Sequence, residues 1–97
     1  MYILDPKSLF ARKANKLSKK DSSLRIKINQ VLEKIADDPF QNTLKTHKVI
    51  AKVDSQLAFS SYVSSDIRMI WRFNNKKIEI IELIDIGGHS GGNKVYK

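Results

Sequence analysis

A chain of 97 residues with 41% apolar content is long enough for one globular domain, 1–97, and too short for two. The absence of cysteine excludes a disulfide framework and a thiolate metal site, and no apolar run is long enough to cross a membrane. Met1-Tyr2-Ile3-Leu4-Asp5 lacks the basic and long apolar regions of a signal peptide, so a cytoplasmic protein is expected. Eighteen Lys and Arg against ten Asp and Glu leave a net charge of +8, which points to a polyanion, nucleic acid being the commonest, or to an acidic protein partner.

In chain order, Tyr2 to Leu4 reads as a short strand. Asp5-Pro6 reads as a helix start, an acceptor followed by proline at the first helical position. Phe10, Ala14 and Leu17 follow at helical spacing among lysines. Asp21 or Ser22 caps a second helix, whose stripe Leu24, Ile28, Val31, Leu32, Ile35 has a period of 3.6. Asp37-Asp38-Pro39 ends it, because the residue before proline avoids the α region. Two helices with so short a join predict an antiparallel helical hairpin.

Alternation over Leu57 to Val63 and over Ile67 to Phe73 predicts two strands, with a turn at Ser64-Ser65. Asn74-Asn75 signals a hairpin, and Ile78 to Ile86, apolar on both faces, predicts a central strand. The fold class is α+β: the helical hairpin on one face of a small, mostly antiparallel sheet of three to four strands. Leu57, Phe59, Val63, Ile67, Met69, Trp71 and Phe73 then face the helices. Ser60, Tyr62, Ser64, Asp66, Arg68 and Arg72 face solvent on the other side.

All four glycines fall in Gly87-Gly88-His89-Ser90-Gly91-Gly92, directly after the central strand. Such a loop brings backbone N–H groups close to a ligand, and His89 within it is a candidate proton-transfer group. Arg68 sits mid-strand on the polar face, where a guanidinium fork suits phosphate. Arg72, near the strand end, fits either a phosphate contact or an ordinary cross-strand ion pair. Tyr96 fits either a base-stacking role or a cap on the core beside Val95. His47, Lys45, Lys48, Lys52, Lys76, Lys77 and Lys94 are candidate phosphate contacts or a solvated basic surface. The glycine loop lacks the Gly-Lys-Ser/Thr ending of a phosphate-binding P-loop. Two histidines without cysteine make a poor zinc site, and Ser90 beside His89 does not make a nucleophile pair.

Two amphipathic helices lead into Asp37-Asp38-Pro39-Phe40 and Leu44-Lys45-Thr46-His47-Lys48-Val49. Then come Ser65-Asp66-Ile67-Arg68-Met69-Ile70-Trp71-Arg72 and the ending Leu83-Ile84-Asp85-Ile86-Gly87-Gly88-His89 to Val95-Tyr96. In order and spacing this resembles the RelE/ParE superfamily of toxins from type II toxin–antitoxin modules, and within it the RelE, YoeB and YafQ type of mRNA interferase. The resemblance implies a metal-independent, cofactor-free endoribonuclease that enters the A site of the 30S subunit. There it promotes attack of a ribose 2′-OH on the adjacent phosphodiester of mRNA. It places the charge-stabilising arginine on Arg68, a general acid or base on His89, and a stacking or proton-assisting aromatic on Tyr96. Asp66 matches an acidic position of the YafQ-like branch, and His47 an upstream basic or histidine position. Tyr62 stands where that branch has a histidine. The resemblance also implies an antitoxin partner that wraps the basic surface. A ParE-like inhibitor of DNA gyrase and a non-catalytic nucleic-acid-binding domain are the alternatives on the same fold.

Overall fold

The structure, a computed structural model, describes residues 1–88, 91 and 94–97. Chain order is β1 (Ile3–Pro6), α1 (Ser8–Lys20), α2 (Ser22–Asp37), a 3₁₀ turn (Asn42–Leu44), β2 (His47–Ile50), β3 (Leu57–Tyr62), β4 (Ile67–Phe73) and β5 (Ile80–Gly88). The strands form one sheet in the order β1-β5-β4-β3-β2, with β1 parallel to β5 and the other neighbours antiparallel. The α+β class and the helical hairpin are as the sequence predicts, but the sheet has five strands rather than three to four. The additional strand is β2. Its four residues, His47-Lys48-Val49-Ile50, are too few to show alternation, and it is recognisable only by its pairing with β3.

A single residue, Asp21, joins the helices. Its Oδ1 accepts from the backbone N–H of Ser23 at 3.0 Å and of Leu24 at 3.3 Å, capping α2. The Ser23 hydroxyl, followed by those backbone donors, holds the Asp21 carboxyl below its usual range. The predicted start of α1 at Asp5-Pro6 is displaced to Ser8. Asp5 and Pro6 instead close β1 against Glu82 and Leu83, where a parallel pairing with the central strand outweighs the capping signal. Pro6 is tolerated because β1 is an edge. The last strand is likewise shifted. Asn74 Oδ1 accepts from Lys76 N and Lys77 N, both at 2.9 Å, so the turn is longer than two residues and β5 runs on into Gly87 and Gly88.

The helices pack on one face of the sheet. Phe10, Ile28, Val31 and Ile35 meet Met69, Trp71, Ile81, Leu83 and Ile86, all buried. The opposite face is not simply solvated, as the alternation suggested. Ala51, Ala58, Ile70, Ile84 and Val95 form a second small core, and Ser60 beneath it is 0% exposed. The reason is the C-terminal segment. Val95 N donates to Gly88 O and Lys52 N to Val95 O, both at 3.0 Å, and Lys97 N donates to Ile50 O at 2.8 Å. The segment thereby straps the end of β5 to the end of β2.

A bulge completes the frame. Ile70 pairs with Asp85 but Trp71 with Leu83, leaving Ile84 as the extra residue on β5. Asp85, buried, accepts from Lys13 Nζ of α1 at 2.6 Å and from Ile86 N at 2.8 Å.

Below the core a hydroxyl chain crosses from the sheet to the connection after α2. Trp71 Nε1–H donates to Ser61 Oγ at 2.8 Å, Ser61 and Thr46 hydroxyls lie 2.7 Å apart, and Thr46 Oγ1 donates to Pro39 O at 2.7 Å. A carbonyl only accepts, so Thr46 donates to Pro39 and Ser61 must donate to Thr46. Ser61→Ala should cost about 1–3 kcal/mol in urea unfolding, because it strands the buried Trp71 N–H, while Thr46→Ser, which keeps both bonds, should cost less.

Next to Trp71 on β4, Arg72 clasps Asp54 through Nη1–Oδ2 at 2.8 Å and Nη2–Oδ1 at 3.1 Å. The Arg72 hydrogen bond holds the Asp54 carboxyl below its ordinary value of 3.8. A depressed carboxylate stabilises the fold above its unfolded pKa and loses that contribution as pH falls through the folded one. Arg72→Gln should therefore make stability less steep with pH below about pH 4, measured by thermal unfolding across acid buffers.

Candidate active site

The site is built on the tail-covered side of the sheet, at the end where β3 turns into β4. Period-two alternation sends Ser60 and Tyr62 of β3, Arg68 of β4 and His47 of β2 to that side. The registers His47↔Ser60, Tyr62↔Arg68 and Arg68↔Gly87 set them in neighbouring rows.

Arg68 Nη1 donates to Ser64 O at 2.6 Å and Ile67 O at 3.1 Å. The guanidinium lies over the Tyr62 ring, 4.8 Å from its centroid. Two carbonyls and an aromatic face thus hold the half-buried guanidinium, and its remaining N–H donors make no hydrogen bond to a described residue. Lys45 Nζ approaches the same ring at 5.2 Å. Tyr62 is therefore a shared π platform for two cations.

Lys45 has a left-handed backbone, with φ of 48°, and ends the 3₁₀ turn. That conformation turns the chain into β2 and aims the Lys45 carbonyl at the His47 ring, 3.0 Å from Nδ1. Because the carbonyl accepts, Nδ1 carries the hydrogen. In the neutral imidazole, exposed Nε2 is left with its lone pair and is able to take a proton. Tyr96 meets His47 edge-on at 6.4 Å, and Lys94 Nζ lies 5.1 Å from the Tyr96 centroid. The strap formed by the C-terminal segment is what brings Lys94 and Tyr96 to a ring at the start of β2.

Of the residues expected from sequence, Arg68, His47, Lys45, Tyr96 and Lys94 form one connected surface. The joining residue, Tyr62, was not among the expected candidates. Its signal was its alternation onto the face of Arg68, but the cross-strand pairing that places the two side by side is tertiary. His89 lies outside the described residues. Gly87, paired with Arg68, and Gly88, paired with Ile67, bring β5 to the same end of the sheet. Asp66 is exposed in the β3–β4 turn, lining a groove with Lys52 and Lys94.

Four other candidates are placed elsewhere. Arg72 is committed to Asp54. Lys76 and Lys77 sit in the β4–β5 turn, at the opposite end of the sheet from Arg68. Lys48 pairs with Phe59 and so projects from the helix side. Among the described residues no carboxylate pairs with Lys45, Arg68 or Lys94, so each of these cations stands without an internal counter-charge there. Chemically, the surface offers fixed positive charge, a proton acceptor and two aromatic rings.

No model of a protein family matches the sequence, and no curated protein does. Solved structures do match. The YoeB/ParE toxin from Agrobacterium tumefaciens is 19% identical, with a TM-score of 0.72 over 91% of this chain and 99% of that one. YafQ from E. coli strain BL21(DE3) is 14% identical, with a TM-score of 0.66 over 91% and 93%. A metal-bound toxin from Helicobacter pylori is 18% identical, with a TM-score of 0.68 over 92% and 96%. Two helices on a bulged five-stranded sheet, matched nearly end to end in these structures, give this chain the fold of the YoeB, ParE and YafQ toxins.

Proposed function

We propose that this chain is the toxin of a type II toxin–antitoxin module and acts as a ribosome-dependent mRNA endonuclease. The observation that carries the proposal is that Arg68 and Lys45 share the Tyr62 ring while Lys94 lies over the Tyr96 ring that meets His47. A scissile phosphodiester needs cations where charge develops, a base for the nucleophile's proton and surfaces for its flanking bases.

In the proposed reaction the ribose 2′-OH attacks the adjacent phosphorus. His47 Nε2 is disposed to accept the 2′ proton, and the Arg68 fork neutralises the non-bridging oxygens of the phosphorane. The bond from phosphorus to the 5′ oxygen breaks, and that oxygen takes up a proton, a role we assign to His89. The products are a 2′,3′-cyclic phosphate and a 5′-hydroxyl end. Tyr96 and Tyr62 supply faces for neighbouring bases, with Lys45 and Lys94 on the flanking phosphates. Asp66 is proposed to orient a donor at the turn. Lys48, Lys52, Lys76 and Lys77 are assigned to the wider basic surface presented to ribosomal RNA rather than to the reacting linkage, and Arg72 stays paired with Asp54.

The proposal includes a protein antitoxin. Related folds are seen as a YoeB–YefM complex from Staphylococcus aureus and an E. coli DinJ–YafQ complex. A surface of uncompensated cations is suited to neutralisation by an acidic partner.

Arg68→Ala should lower cleavage of mRNA on programmed ribosomes by about 10²–10³-fold, with Arg68→Lys retaining an intermediate rate because it keeps charge but not the fork. His47→Gln and His89→Ala should each cost about 10²–10⁴-fold at neutral pH. Mapping of 5′ ends after brief induction checks both, together with growth rescue by the same variants. Growth arrest accompanied by DNA damage and intact mRNA would replace this reading with gyrase inhibition.

A further inference from the structure

Carried past Trp71↔Leu83 without interruption, the register of β4 on β5 would set Ile70 opposite Ile84, Met69 opposite Asp85 and Arg68 opposite Ile86. The bulge at Ile84 moves the rest of β5 on by one residue, and a step of one exchanges the faces to which side chains point. Ile86 is thereby buried in the helix-side core opposite Met69, and Gly87 comes opposite Arg68. In the uninterrupted register an isoleucine would flank the guanidinium on its own face. The bulge puts there a residue with no side chain, which leaves room beside Arg68 for a ligand.

A charge pair stands at this bulge. β1 ends at Pro6, opposite Leu83, so β5 has no β1 neighbour beyond that point. There Asp85 Oδ1 accepts from Ile86 N at 2.8 Å and from Lys13 Nζ at 2.6 Å, which ties the chain just after the bulge to α1. The Asp85 side chain is 6% exposed and that of Lys13 35%. Taking two charges this far out of water costs much of what their attraction returns, so stabilisation alone is a poor account of the pair, and selection of one arrangement over another is a better one. Here the alternatives differ by a single residue, and only the bulged one keeps the Asp85 carboxylate from standing opposite Met69, which is fully buried.

We infer that Lys13 and Asp85 are positioning residues for Arg68: their ion pair selects the β5 register that sets Gly87 beside the guanidinium. For what Arg68 does, this rests on the proposed reaction; the register is a property of the chain by itself.

The test reads register and rate separately. In the wild type, nuclear Overhauser contacts should join the Arg68 backbone to Gly87, and in Lys13→Met they should weaken or pass to Ile86. On programmed ribosomes Lys13→Met should lower kcat about tenfold or more. Its KM should change no more than that of Lys19→Met, which removes an exposed lysine of the same helix and should leave kcat as it is. Lys13→Arg keeps the cation and should recover most of the rate together with the contacts from Arg68 to Gly87. In an Arg68→Ala background, Lys13→Met should lower kcat by less than about twofold, because the group it positions is gone. Equal losses in both backgrounds would mark general structural damage and overturn the inference. So would unchanged contacts from Arg68 to Gly87 in Lys13→Met, or a lost register with wild-type kcat. Should circular dichroism find Lys13→Met unfolded, Asp85→Asn carries the same measurements, since it keeps an acceptor for Ile86 N and weakens only the hold on Lys13; a loss in kcat of at least about threefold is then expected. A wild type that leaves mRNA intact tells against the nuclease reading alone, since the register is read without ribosomes.

Discussion

The hydroxyl chain from Trp71 through Ser61 and Thr46 to the Pro39 carbonyl fixes where the site can form. The connection between α2 and β2 contains only a 3₁₀ turn of regular structure, so its path depends on side-chain bonds. Thr46 immediately precedes His47. Once its hydroxyl is held at both ends, β2 begins opposite Ser60 and the left-handed Lys45 carbonyl is aimed at the His47 ring. Buried bonds of this kind gain strength from the low local dielectric and carry a high cost when broken singly. A loop held in this way can serve as a platform for chemistry.

The sheet is buried on both faces by unequal partners. The helices cover one side with a large core, and a strap of four residues covers part of the other around Val95. The polar cluster takes Lys94 and Tyr96 from that strap. Its cations touch aromatic faces and carbonyls rather than carboxylates, which holds their positions without neutralising their charge. On a chain of net charge +8 this leaves a field that attracts polyanions and is screened by salt.

Likeness to the YoeB/ParE structure at 19% identity shows how little of a sequence a fold requires. In this chain the elements rest on periodicity: a 3.6-residue stripe on α2, and two-residue alternation of side chains on β3 and β4. Many residue choices meet those patterns equally. The proposed activity would lie in side chains set upon the pattern, Arg68, His47 and their neighbours, and not in the fold itself.

The sequence by itself determined both helices, a cap at Asp21 or Ser22, strands β3 to β5 and the facing of Trp71 and Met69 toward the helices, because these follow from local periodicity and capping chemistry. It also singled out Arg68, His47 and Tyr96 by residue type and place in a pattern. Tertiary structure alone decided the rest. β2 exists because β3 offers it an edge, and Asp5-Pro6 is strand rather than helix because β5 offers it a parallel partner. Ser60 is buried rather than exposed because the C-terminal segment returns across it. Tyr62 joins the site because a register sets it beside Arg68. Each of these depends on a contact between residues distant along the chain, and such contacts leave no periodic trace in the sequence around either partner.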